Sequence, residues 1–131
     1  MQPFTRLFIL DLPLRLWRRK LIPAMLFVES SLFERARKEY LADDGLRELQ
    51  AVLLARPDAG VVIPGTGGVR KLRWKVEGRG KRGGLRVIYY VRASAFRCYL
   101  LHLYSKNVEE DLSPAMRKAL AALVHQIEAG E

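Results

Sequence analysis

Residues 69–105, VRKLRWKVEGRGKRGGLRVIYYVRASAFRCYLLHLYS, decide the fold. Leu72, Trp74 and Val76 alternate with Lys71, Arg73 and Lys75. A strand turns successive side chains to opposite faces, so the first set goes to the core and the cations line the other face. Gly78-Arg79-Gly80-Lys81-Arg82-Gly83-Gly84 reads as a basic loop. A second strand over residues 85–91 sets Leu85, Val87 and Tyr89 against Arg86, Ile88 and Tyr90. Residues 92–95 make a turn, and a third strand covers residues 97–104. Connections this short imply an antiparallel meander.

The same stretch holds the charge. The chain has 131 residues, 23 Lys and Arg against 14 Asp and Glu, and a net charge of +9. Residues 70–97 contain ten basic groups and one acid, Glu77, which equals the whole net charge. Residues 25–69 and 98–131 are each mildly acidic, and residues 1–24 carry five basic groups and one acid. A solvated surface mixes signs along the chain; concentration in one stretch fits a phosphate-binding face. The length suits one domain, and an apolar half suffices for a core. A single cysteine, Cys98, excludes an internal disulfide and points to a reducing compartment, the cytoplasm.

The flanks complete an α/β (α+β) domain. Leu26-Phe27-Val28 is a strand candidate. Ser31 with Glu34 fits a capping box for a helix to Tyr40 that buries Leu32, Phe33 and Ala36. Asp43 or Asp44 caps a second helix carrying Leu46, Leu49, Leu53 and Leu54, which Pro57 ends, so the two helices form a hairpin. Residues 57–68, PDAGVVIPGTGG, read as a tight connection; no Gly-Lys-Ser/Thr follows and a strand comes next, so a P-loop is excluded. Ser113 caps a last helix with Pro114 at its first position; Met116, Leu120, Leu123, Val124 and Ile127 form its apolar stripe and Gly130 its end. Residues 1–24 offer no unbroken membrane span, because Arg6, Asp11, Pro13 and Arg15 interrupt them, and fit a signal peptide poorly, because Arg18-Arg19-Lys20 follows the apolar part and no small-residue cleavage site is evident. They read as an extension ahead of a biological start at Met25, which leaves residues 25–131 as the working domain with 18 basic and 13 acidic groups.

No metal pattern is present in the sequence: His102 and His125 are the only histidines, and their spacing with Cys98 fits no zinc site. Cys98 lies in an apolar strand and reads as an inert buried thiol, His102 as a core histidine and His125 as a surface one. Glu109, Glu110 and Asp111 suit a helix start. The remaining chemistry is cationic. Arginine forks onto phosphate oxygens, and a lysine crowded by cations gives up its proton more readily. RNA carries its own nucleophile, the 2′-hydroxyl, so clustered Lys, Arg and Tyr can activate it, stabilise the phosphorane and protonate the leaving oxygen. Lys71 and Arg73 share a strand face, Arg86 projects from the next strand and Lys106 follows the third, so the four could converge on one groove. Any exposed member of Trp74, Tyr89, Tyr90 and Tyr104 could stack on a base, although the alternation sends Trp74 to the core.

Taken in order, Gly65-Thr66-Gly67-Gly68-Val69-Arg70-Lys71-Leu72-Arg73, Gly80-Lys81-Arg82-Gly83-Gly84-Leu85-Arg86-Val87-Ile88-Tyr89-Tyr90, Leu100-Leu101, Tyr104-Ser105-Lys106-Asn107 and Asp111-Leu112-Ser113 resemble the RelE/HigB toxins of bacterial type II toxin–antitoxin systems. The resemblance covers about residues 26–125. It implies a small domain with an antiparallel twisted sheet, an N-terminal helical pair and a C-terminal helix. It implies a metal-independent, ribosome-dependent mRNA endoribonuclease (an mRNA interferase) with no cofactor. It also implies neutralisation by a cognate helix-turn-helix antitoxin, with operator DNA met only through that complex, and no membrane partner. By position, Lys71 and Arg73 match the family's basic strand residues, Arg86 its phosphate-stabilising arginine and Lys106 its basic residue after the last strand. Arg70, Lys75, Arg79, Lys81, Arg82, Tyr104 and Asn107 are the accompanying RNA-binding candidates. Some relatives carry a functional Tyr or His in the final helix region, where this chain has Met116 and Arg117, so the sequence names no general acid. A ParE-like gyrase inhibitor on the same scaffold and an inactive basic nucleic-acid-binding module are the rival readings.

Overall fold

The meander forms as its alternation requires: β4 (Arg70–Trp74), β5 (Leu85–Arg92) and β6 (Arg97–Ser105) pair antiparallel in succession. The computed structural model describes residues 4–8, 25–76, 84–106 and 112–130. Around the meander lie β1 (Phe4–Phe8), β2 (Met25–Glu29), α1 (Ser31–Tyr40), α2 (Asp43–Ala55), the two-residue β3 (Val61–Val62) and α3 (Pro114–Gly130). The strands make one sheet in the order β1-β2-β6-β5-β4-β3. The protein is therefore a mixed α/β domain.

Two features of the sheet differ from the expected antiparallel arrangement. Strand β2 joins β6 in parallel, with Phe27 opposite Cys98 and Val28 opposite Tyr99. Such pairing links segments some seventy residues apart and leaves no local sequence signature. The segment read as an extension also contributes an edge strand, since β1 pairs antiparallel with β2 from Phe4–Glu29 to Phe8–Met25. The rest of residues 1–24 lies outside the described residues.

Both faces of the sheet are covered. On one, Leu85, Val87, Tyr89, Leu100 and Leu103 meet α1 and α2 through Phe33, Leu46, Leu49 and Leu53. Leu72, Trp74 and Val76 join this core, the side their alternation assigns. On the other, Val69, Ile88, Tyr99, Leu101 and Tyr104 meet Leu120, Val124 and Ile127 of α3. Full burial of one large apolar side chain contributes about 1.5–3 kcal/mol, so neither face can be left open cheaply. The cationic strand face is thus only partly solvated: α3 roofs one part of it.

The caps follow from nearby donors. Ser113 Oγ accepts from the Met116 N–H at 3.1 Å, as its place before Pro114 predicts. The cap of α1 is Ser30, not Ser31: its Oγ accepts from Phe33 N–H at 2.9 Å and donates to Leu101 O at 2.7 Å. Ser30 wins because that one hydroxyl serves the helix and ties it to β6. Leu32 is correspondingly 39% exposed rather than buried, and Arg37 turns inward instead. Asp43 and Asp44 do not cap α2; they occupy its first turn, where the helix dipole favours carboxylates.

Residues 57–68 form a tight connection that, unlike the expected loop, contains β3, whose Val61 and Val62 pair antiparallel with Lys71 and Arg70 of β4. Thr66, fully buried, bonds Ile63 O and Val69 N–H, and Gly65, Gly67 and Gly68 take positive φ. Gly60 is required for a different reason: a Cβ there would stand 2.9 Å from Lys71 O and from Tyr89 Cε1.

Candidate functional site

The register of β4, β5 and β6 collects the chemistry on the face that α3 only partly covers. In one row across three strands, Arg73 stands opposite Arg86, and Arg86 opposite Tyr104. In the next row, Lys71 stands opposite Ile88, and Ile88 opposite His102. Partners directly opposite in antiparallel strands project to the same face, about 4.5–5.5 Å apart at Cβ. Lys106 follows β6, and its backbone N–H donates to Gly84 O at 3.1 Å, which extends the β5–β6 ladder to that lysine.

The exposures grade across this face. Arg73 and Lys106 are exposed, Lys71 and His102 half-buried, Arg86 9% exposed and Tyr104 3% exposed. Arg86 Nη1 donates to its own neighbour's carbonyl, Leu85 O, at 3.3 Å. The Tyr104 ring lies 5.0 Å from the His102 ring, centroid to centroid.

Two like-charge pairs on the sheet behave differently. Arg92 stands opposite Arg97 at the far end of β5 and β6, and Glu128 of α3 answers Arg92 at 3.5 Å. Arg73 and Arg86 are also directly opposed, yet neither forms an ion pair with a carboxylate among the described residues. Like charges placed opposite on adjacent strands destabilise a sheet. A phosphate bound between Arg73 and Arg86 would receive charge-assisted hydrogen bonds from both and relieve their repulsion.

Several expected site residues lie elsewhere. Arg70 alternates to the opposite face of β4, and its Nη1 donates to Gly60 O at 2.7 Å; it fastens the 57–60 connection and does not join Lys71 and Arg73. Tyr104 shares the row with Arg86, but its burial in the α3 core leaves no open ring face for stacking. Tyr89 is fully buried, donates to Pro57 O and accepts from Gly60 N–H, both at 2.8 Å. Burial pushes its hydroxyl above the usual range, partly offset by the Gly60 bond. Tyr90 bonds Glu128, and its pKa rises to about 12 through burial first and that carboxylate second. Lys75 is exposed just past β4. Arg79, Lys81, Arg82 and Asn107 lie outside the described residues, as do Glu109, Glu110 and Asp111.

Cys98 is fully buried and desolvation pushes its thiol far up, so it has no nucleophilic character. His125 is exposed on α3. Among the described residues no group of His, Cys, Asp and Glu could hold a metal ion, and no helix is long and apolar enough to cross a membrane.

His102 is half-buried and lies on a face that strand alternation does not predict. Strict alternation from Leu100 would send it to the α1–α2 core; the ladder slips between Ile88 and Tyr89, so Leu101 is an extra residue on β6. Leu101 and His102 therefore both lie on the α3 side. Bulges of this kind re-aim side chains, and no local sequence signal marks this one. The chain matches no protein-family model.

Proposed function

We propose that the protein is the toxin of a type II toxin–antitoxin system, of RelE-like arrangement, acting in the cytoplasm as a ribosome-dependent mRNA endoribonuclease. The Arg73–Arg86 pair carries this reading, because it sets two arginines directly opposite each other across β4 and β5 with no carboxylate paired to either among the described residues. The ordered resemblance through residues 65–113, which includes both arginines, also supports it.

In this reading the scissile phosphate sits between Arg73 and Arg86. Lys71, on β4, takes the proton of the 2′-hydroxyl. The O2′–P bond forms and the P–O5′ bond breaks, leaving a 2′,3′-cyclic phosphate on one fragment and a 5′-hydroxyl on the other. Charge builds on the phosphorane oxygens during that step, and fixed guanidinium groups lower its cost; one such donor is commonly worth about 10²–10³ in rate. Lys106, two positions beyond Tyr104 on the β6 side, stabilises the departing oxygen. Phosphates of the flanking mRNA meet Lys75. The partners are the ribosome with its mRNA and a cognate antitoxin, with operator DNA reached only through the antitoxin complex.

A gyrase inhibitor would have no use for paired phosphate ligands on the strands. Expression without antitoxin is expected to arrest growth, and primer extension is expected to find new 5′ ends inside translated messages. Intact messages together with inhibited DNA supercoiling would replace this reading with the gyrase one.

A further inference from the structure

We infer that His102 is the general acid of the cleavage step, an inference that rests on the endoribonuclease reading. An in-line displacement puts the attacking and leaving oxygens on opposite sides of phosphorus. Base and acid must therefore approach from opposite flanks. The row Lys71–Ile88–His102 has that form: the two ionisable groups stand at its ends, on β4 and β6, with a fully buried isoleucine between them. Two interstrand spacings separate them, about 10 Å. The neighbouring row supplies the phosphate seat at Arg73 and Arg86.

Three observations single out His102 among the donors on the β6 flank. It owes its place on this face to the extra residue Leu101; an unbulged ladder would bury it beneath α1 and α2. Its ring is half-buried with Nδ1 inaccessible, and it lies beside the Tyr104 ring, so the side chain is held and not swinging in solvent. The alternatives are more poorly placed: Tyr104 is buried, and Lys106 is exposed beyond the end of β6. Imidazole titrates closest to the working pH. In the step, the His102 imidazolium gives its proton to O5′ as the P–O5′ bond breaks, while Lys71 has received the 2′-hydroxyl proton. Proton transfer between the two restores the resting state.

The test uses programmed ribosomes and two mRNAs, one natural and one with sulfur replacing the 5′-bridging oxygen at the cleavage site. A thiolate leaves without a proton, so it needs no acid. His102→Ala is expected to cut the natural message about 10²–10⁴-fold more slowly than wild type and the sulfur message at the wild-type rate. His102→Gln, near in shape, should show the same pattern with an unchanged melting temperature. Equal slowing on both messages would make His102 structural, and no slowing on the natural one would make it a bystander; either overturns the inference. Arg86→Ala separates this from the broader reading, since it should slow both messages. If wild type cleaves neither, the endoribonuclease reading falls and the inference with it.

Discussion

Replacing Arg73 by glutamine should stabilise the protein while disabling it. Arg73 and Arg86 are directly opposed across β4 and β5 with no carboxylate paired to either among the described residues. Two unit charges about 6 Å apart repel by about 0.7 kcal/mol in a water-like dielectric and about 2.8 kcal/mol at an effective value of 20. Arg73 is exposed and Arg86 buried, so the pair lies between these limits, and exposed arms swing apart and are screened. Measured cross-strand pairs, at about 0.2–1 kcal/mol, are the better guide. For a chain of this length that corresponds to a rise in Tm of about 1–4 °C for Arg73→Gln at low salt. At about 1 M salt, where the Debye length is about 3 Å, the gain should nearly vanish. The internal control is Arg92, whose opposition to Arg97 is offset by Glu128 at 3.5 Å; Arg92→Gln should lower Tm. Cleavage by Arg73→Gln should fall about 10²-fold or more. Calorimetry at two salt concentrations with single-turnover cleavage reads all of these. A Tm that falls, or a gain that salt does not reduce, would refute the argument that the arginine pair is held open for an anion.

Arg37 is expected to matter for a different reason. It faces the fully buried Glu29 at 3.6 Å and Asp43 at 3.2 Å, so Arg37→Met should cost about 3–5 kcal/mol by taking the guanidinium away from a buried carboxylate, and adding Glu29→Gln should recover much of it in denaturant titrations. Tyr90 predicts an alkaline effect. Its folded pKa of about 12 lies above the ordinary 10.0, so the fold favours the protonated hydroxyl; that contribution is whole below about pH 10 and fades as pH climbs through about 12. Tyr90→Phe should therefore lose less stability than wild type between pH 9 and about 11.5, and equal losses would contradict the assignment.

The parts of the fold that were legible in sequence are those set by local chemistry. The Lys71–Val76 alternation, the glycine-rich connection and the Ser113–Pro114 helix start each depend on neighbours within a few positions. What escaped depends on distant partners. The parallel β2–β6 pairing joins Phe27 to Cys98, and no nearby residue records it. Ser30 displaced Ser31 as the cap because Leu101 O, across the fold, accepts its hydroxyl. The second core became visible only once α3 had a face to cover, which turned Tyr104 from a stacking candidate into a buried ring. Of the site, Lys71, Arg73 and Arg86 were readable from strand period alone, and the structure puts the two arginines opposite each other. His102 was not readable, because one extra residue reverses its face.

The most direct measurement is end-group analysis of mRNA incubated with purified protein on programmed ribosomes, comparing wild type with Arg86→Ala. The account predicts fragments bearing a 2′,3′-cyclic phosphate and a 5′-hydroxyl from wild type, formed at least about 10²-fold more slowly by the variant. Cleavage by Arg86→Ala at the wild-type rate, or fragments ending in 5′-phosphate, would contradict it.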